Sequence, residues 1–290
     1  ATTEIYTLSL HDARPIFFLL ALIGFGSKAG FFPFHVWLPE AHPVAPSHVS
    51  ALLSGVMVKL GLYGLLRMWV VLGPPDPGWG LLLLSAGLAS ALFGGLSVLG
   101  QRDLKRCLAY STVENVGIVA IGLGLGVVLL QPDSAPLATL AVAGGLLHVW
   151  NHALFKSLLF LASGSLARAA STLDLELLGG LLRRMPWTGL GLLVGGAAAC
   201  ALPPFNGFVG ELLIYLPAFR TVAAGSPSTP AALAAIAGLA FVGALAAAGF
   251  VRLLGIALLG EPRSQEASRA REIPQPAMRG VLIALCVACL

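Results

Sequence analysis

Residues 146–160 read LLHVWNHALFKSLLF. The run around them, about Leu137 to Leu166, is apolar and long enough to cross a bilayer, which takes about 20 residues as a helix. Inside it, His148, His152 and Lys156 recur at i, i+4 and i+8. On a helix these three occupy an arc of ~80° and rise ~12 Å along the axis. Such a stripe must face protein or water, because a charge at the bilayer centre costs roughly 2.5–3.5 kcal/mol. Lys156 stands 10 residues before Leu166, a stretch for a side chain that would have to snorkel to the interface. The segment is therefore predicted to be one helix of an all-α polytopic membrane protein whose interior carries ionisable groups.

The other charges repeat the pattern. The chain has 4 Lys and 13 Arg, and the Arg lie at or near the ends of apolar segments. Lys28, Lys59 and Lys156 lie well inside such segments, as do Glu114 and Glu211. Left charged and unpaired, these groups together would cost on the order of 10 kcal/mol or more. A plain membrane anchor has no use for them. A desolvated lysine can give up its proton, whereas arginine effectively cannot. Interior Lys with peripheral Arg thus points to a path for protons through Lys28, Lys59, His148, His152, Lys156, Glu211 and Glu114. Two simpler explanations of the stripe stay open. Buried His bonded to neighbouring carbonyls would need no transport. Two His at i, i+4 also suit zinc, although no acidic third ligand is close in sequence. Glu114, in AYSTVENVGI, is nearer a segment end and also fits an interfacial place.

Composition agrees with the membrane reading. Hydrophobic residues make up 57% and charged residues 10%, with mean hydropathy +0.89. Soluble domains carry about 25% charged residues. The pI of about 9.1 reflects basic residues at segment ends, which set topology, and does not indicate nucleic-acid binding. Cys286 and Cys289 form a CxxC, but within a run of Leu, Val and Ala, where small packing residues are the simpler explanation. No P-loop, no dinucleotide fingerprint and no cysteine set for an iron–sulfur cluster is present in the sequence. The chain is thus expected to hold no cofactor and no catalytic site of its own. It starts without Met and stops in VLIALCVACL, too short to span, so a piece of a longer membrane protein is expected.

Seven spans and the start of an eighth are predicted: about Arg14–Phe34, His48–Leu72, Trp79–Gly100, Cys107–Leu130, Leu137–Leu166, Trp187–Phe219 and Ala231–Leu259, the last beginning near Met278. Three loops then share one side. They carry Arg102, Lys105 and Arg106; Arg168, Arg183 and Arg184; and Arg263, Arg269, Arg271 and Arg279. The other side has Arg14, Arg67 and Arg220. By the positive-inside rule the first set is cytoplasmic. Two spans carry breaks. GSKAGFFPFHVWLPEAHPVAP (26–46) interrupts the chain just after Lys28, and LPPFNG (202–207) does so just before Glu211. Proline frees carbonyls, and broken backbone at membrane depth is tolerated only where protein or water satisfies it. The breaks fall in the first and sixth spans, which points to an inverted five-helix repeat. His35, Glu40 and His42, with His48, cluster after the first break. They are read as a candidate proton inlet, or as ordinary loop polarity.

At this point the residues resemble a known family. FPFHVWLPEAHPVAPSHVSALLSGVMVKLGLYGLLR (32–67) resembles the signature stretch of the antiporter-like proton-conducting subunits of respiratory complex I, the Mrp cation/proton antiporters and the membrane-bound hydrogenases. QRDLKRCLAYST, HALFKSLLFLASGS and ALPPFNGFVGE are similar to other motifs of that family. The resemblance implies about fourteen helices in two inverted five-helix repeats. Residues 1–290 would be a single transmembrane domain matching helices seven to thirteen and the start of fourteen. Residues 14–72 would close the first repeat and 79–259 form the second. It also implies roles: Lys28 as switch of the first half-channel, Lys59 as the next lysine, Lys156 with His148 and His152 as the central relay, and Glu211 as the residue of the broken twelfth helix. The partner glutamate would lie upstream. AYSTVENVGI and LPPFNGFVGELLIY look most like the hydrogenase-4 component B and formate hydrogenlyase subunit 3 branch. The implied function is proton or cation translocation in a redox-driven complex of the bacterial or archaeal cytoplasmic membrane. Partners would be other membrane subunits, lipid and a peripheral arm with iron–sulfur and possible nickel–iron centres. A complex I subunit or an Mrp-type antiporter subunit is the alternative.

Overall fold

The computed structural model describes residues 10–290, with side chains from residue 13 onward, and among the described residues the ordered elements are all helical. The chain opens with α1 (Leu10–Ala29), which ends where Gly30 takes a positive φ of 84°. The short α2 (Trp37–Val44) follows. After Pro46 comes α3 (Ser47–Leu52), which runs through a five-residue π-turn (Leu53–Met57) into α4 (Val58–Leu72). The three together form a continuous rod of 26 residues. Asp76 caps α5 (Pro77–Gly100) by accepting from Gly78 N at 2.7 Å, and Asp103 caps α6 (Leu104–Val128) by accepting from Arg106 N at 2.8 Å. The polar-striped segment is α7 (Ala135–Ala170). Its 36 residues reach ~54 Å, well beyond a hydrocarbon core of about 30 Å, so it projects or tilts.

Beyond α7 the chain forms α8 (Leu181–Arg184), α9 (Pro186–Ala199), α10 (Asn206–Ala223), α11 (Thr229–Leu258), α12 (Gln265–Arg269) and α13 (Pro276–Ala288). Five rods are long and apolar enough to cross a membrane: Ser47–Leu72, Pro77–Gly100, Leu104–Val128, Pro132–Ala170 and Thr229–Leu258. The predicted first span is the 20-residue α1. The predicted sixth is α9 and α10, separated at Cys200–Phe205, so both predicted breaks are present.

Helix α6 is buried on every side, and glycines explain how. Gly80, Gly87 and Gly94 recur every seven residues on α5, which is two turns and one face. Gly117 and Gly124 do the same on α6. A methyl group at Gly117 would lie 2.5 Å from Gly87 O, and one at Gly124 2.5 Å from Leu84 N. The two backbones touch because no side chain stands between them, the usual device where helix association has no hydrophobic driving force.

The Arg-rich loops meet at one end of the bundle, in accord with a shared side. Arg102 pairs with Glu176 at 3.2 Å. Arg263 donates to Leu178 O at 2.9 Å, and Arg184 bonds Ser268 O. Arg106 reaches Glu40 at 2.5 Å and Lys105 donates to Ala45 O at 2.6 Å.

Candidate proton-transfer site

Four helices, α4, α6, α7 and α11, place the site. Lys156, on α7, is fully buried; its Nζ donates to Leu108 O of α6 at 3.1 Å and stands 5.7 Å from the centre of the Phe250 ring on α11. One turn back on α7, His152 is 1% exposed, and its Nδ1 is in hydrogen-bond contact with Lys59 Nζ of α4. Lys59 also donates to Ser54 O, inside the π-turn. π-turns recur at functional sites because they displace one carbonyl from the regular ladder. Another turn back, His148 Nε2 lies 3.0 Å from Asn115 Oδ1 of α6. Asn115 Nδ2 donates to Ser111 O at 2.7 Å, and Ser54 Oγ meets Thr112 Oγ1 at 2.8 Å. The α6 positions that serve the site, Leu108, Thr112 and Asn115, lie at i, i+4 and i+7 on one face.

Two carboxyl groups flank this line. Glu114 is 1% exposed, and neither of its oxygens has a hydrogen-bond partner among the described residues. It points toward α5, where a methyl group at Gly95 would lie 3.2 Å from Oε1. Glu114 is thus enclosed by protein. An isolated carboxylate is costly in such surroundings unless a proton or a cation compensates it. Glu211 is also buried, on the first turns of α10 after the break. The break itself is tight: a methyl group at Gly207 would fall 1.9 Å from Ala198 O. Asn151 Nδ2 holds Asn206 O at 2.7 Å and Asn206 N donates to Cys289 O at 2.8 Å, so the freed backbone groups find protein partners.

Lys28 lies apart from this line. It sits in the last turn of α1, exposed, with no ion pair among the described residues. The cause is the register of α1. Phe18, Ala21 and Ala29 turn inward, and Phe25 packs on Gly61 and Gly64 of α4. Phe17, Leu20, Gly24 and Lys28 share an exposed face about 100° round the helix from the inward one. Lys28 therefore does not join the buried line.

The predicted inlet is also not a single cluster. Glu40 and His42 are two residues apart on α2, or ~200° around the helix. Glu40 is exposed and pairs with Arg106, while His42 is wholly buried and stacks on Phe160 of α7, ring centres 4.5 Å apart. His35 is 6% exposed and lies in an aromatic cage, 4.6 Å from Phe93 and 5.7 Å from Phe32. Helical periodicity separates what sequence proximity suggested was one vestibule. His148 faces Asn115 and His152 faces Lys59.

Asn115, Ser54, Thr112 and Phe250 escaped the sequence reading. A signal existed for the first three, since Ser, Thr and Asn inside membrane helices tend to bond across helices. In AYSTVENVGI the charged Glu114 drew attention, yet its neighbour Asn115 is the residue that touches His148.

Comparisons with known proteins agree with this architecture. The family described as NADH:quinone oxidoreductase/Mrp antiporter, TM, matches residues 7–224. Hydrogenase-4 component B of Escherichia coli (strain K12) is 44% identical over 277 residues, covering 93% of this chain and 41% of that protein. Formate hydrogenlyase subunit 3 of the same organism is 41% identical over 273 residues, covering 93% of this chain and 45% of that protein. This chain thus spans less than half the length of these two relatives. A chain in the structure of the membrane-bound sulfane sulfur reductase, an archaeal respiratory membrane complex, superposes with a TM-score of 0.80 at 25% identity, covering 97% of this chain and 44% of that one. With interior lysines, two broken spans and relatives of this kind, the chain belongs to the membrane family of NADH:quinone oxidoreductase and Mrp antiporter subunits.

Proposed function

We propose that this chain is the proton-translocating part of a membrane subunit in a redox-driven complex, of the hydrogenase-4 or formate hydrogenlyase type. The observation that carries the proposal is the buried contact of Lys59 with His152, one turn of α7 from Lys156. Lys59 in its ammonium form can hand a proton to His152 Nδ1, and His152 can release one from Nε2. Lys156 then holds the proton beneath Phe250 until a nearby acid takes it. Glu211 at the α10 break serves as the outlet and Glu114 as a second acid. Lys28 belongs to a first half-channel completed by a glutamate from an upstream helix laid on the exposed face of α1. Residues 14–72 close one inverted repeat and residues 79–259 form the other.

The driving reaction resides in partner subunits: a peripheral arm with iron–sulfur centres and, in a hydrogenase, a nickel–iron site. The chain itself contributes protonatable side chains and no cofactor. The complex lies in the cytoplasmic membrane of a bacterium or archaeon, with the Arg-rich end inside. The family name also supports a cation/proton antiporter that works without redox chemistry. Proteoliposomes with the purified complex separate the two. Electron donor should drive acidification in the first case, and an imposed sodium gradient should do so in the second. In either case Lys156→Arg, which keeps charge but cannot release a proton, is expected to stop translocation in an assembled complex. Parental translocation by that variant would overturn the path.

A further inference from the structure

Asn115 cannot itself carry a proton, yet its two contacts decide what its neighbour can do. Its Nδ2 lies 2.7 Å from the carbonyl oxygen of Ser111. A carbonyl oxygen only accepts, so the amide arm facing it is the NH2, and the other arm is the oxygen. That oxygen is 3.0 Å from His148 Nε2. Two lone pairs do not bond, so Nε2 carries a hydrogen. The neutral imidazole then keeps its lone pair on Nδ1. Nδ1 is buried and has no hydrogen-bond partner among the described residues. It faces α10 at Gly210, where a methyl group would come within 3.0 Å of it. Only a glycine lets the α10 backbone pack this closely against His148, and the next residue is Glu211.

We propose that Asn115 is a positioning residue that fixes the hydrogen of His148 on Nε2, so that His148 takes up and returns a proton through one atom, Nδ1, on the α10 side. The inference deepens the proton path proposed above and rests on it. In the step, the Nδ1 lone pair forms a new N–H bond while the O–H bond of the Glu211 carboxylic acid breaks, the proton passing through water between them. The products are an imidazolium and a carboxylate, and the reverse step restores both. The Nε2–H bond to Asn115 Oδ1 persists in the neutral ring and in the imidazolium alike. Release through Nε2 would leave two lone pairs face to face. His148 is thus a side station on the path. His152 differs, because its Nδ1 contacts Lys59 and its Nε2 is open, so it can accept at one nitrogen and release from the other.

The test is nitrogen-15 solid-state NMR of the assembled membrane complex labelled at histidine, with the His148 signal assigned by its loss in His148→Gln. The parent is expected to show neutral His148 with hydrogen on Nε2. Hydrogen on Nδ1 would overturn the proposal whatever the transport result, and this measurement needs no further variant to fold. Asn115→Leu has similar size but no acceptor. It is expected to give a mixture of tautomers and to slow translocation about tenfold or more. Asn115→Asp, as the protonated acid, donates its hydroxyl to Ser111 O and keeps its carbonyl oxygen toward Nε2, and it is expected to restore both the tautomer and most of the rate. A parental tautomer and parental rate in Asn115→Leu would overturn the proposal. Failure of the underlying path is read separately: parental pumping by Lys156→Arg would remove the path while the tautomer result still stood.

Discussion

Lys59 Nζ and His152 Nδ1 are in hydrogen-bond contact although 93 residues of chain separate them. The contact joins α4 to α7 at the level where α4 opens into its π-turn. A double-mutant cycle tests whether it is a working link. Lys59→Met and His152→Gln are each expected to slow translocation about tenfold or more. The double variant should be no slower than the worse single one, because residues in contact couple by ~0.5–3 kcal/mol. Strict additivity would mean that the two act on separate steps.

Glu211 separates titration from shape. Glu211→Gln keeps size and hydrogen bonding but removes the proton, and it is expected to abolish translocation while assembly stays normal. Glu211→Lys should retain part of the activity, because an outlet needs a group that gains and loses a proton. A Gln variant that pumps like the parent would place the outlet elsewhere.

Sidedness follows from the joined basic loops. A cysteine in place of Arg183 is expected to react with a membrane-impermeant maleimide only from the cytoplasmic face. Labelling of intact cells from outside would invert the topology.

Glu40 provides a contrasting case. Its pair with Arg106 is exposed on both sides, and pairs of that kind contribute about 0–1 kcal/mol. Glu40→Gln is therefore expected to leave translocation within about twofold of the parent. A large loss of rate with normal assembly would restore Glu40 to an inlet.

Packing of α6 predicts the cost of one methyl group. Gly117→Ala places a carbon 2.5 Å from Gly87 O and Ala91 N, which are backbone atoms that cannot swing away. A loss of about 1–3 kcal/mol is expected, seen as a lower melting temperature of the detergent-solubilised complex. An unchanged melting temperature would mean that α5 and α6 are not in backbone contact.

Periodicity explains what could be read from the chain. The i, i+4, i+8 spacing placed His148, His152 and Lys156 on one face, and they do lie on one face of α7. Proline and glycine marked both breaks. Arg positions grouped the loops that meet at one end. Periodicity does not say which neighbour covers a face. Lys28 lies on the outward face of α1, and the two-residue step from Glu40 to His42 turns one outward and the other inward. The π-turn at Leu53–Met57 leaves no mark in composition, because LSGVM reads like any membrane helix. Asn115 was visible but uninterpretable until its partner on another helix was known.

The glycine contact between α5 and α6 has a mechanical consequence. A helix wedged backbone against backbone has no clearance to rotate or slide, since a turn of α6 would drive Ile118 or Leu125 into α5. The opposite face of α6 holds Leu108, Thr112 and Asn115, the acceptors and the amide that orient Lys156, Ser54 and His148. Those groups are therefore anchored to a stator. In the proposed path, any movement that opens it first to one side and then to the other falls to the elements packed on that face, above all α7, which carries Lys156, His152 and His148.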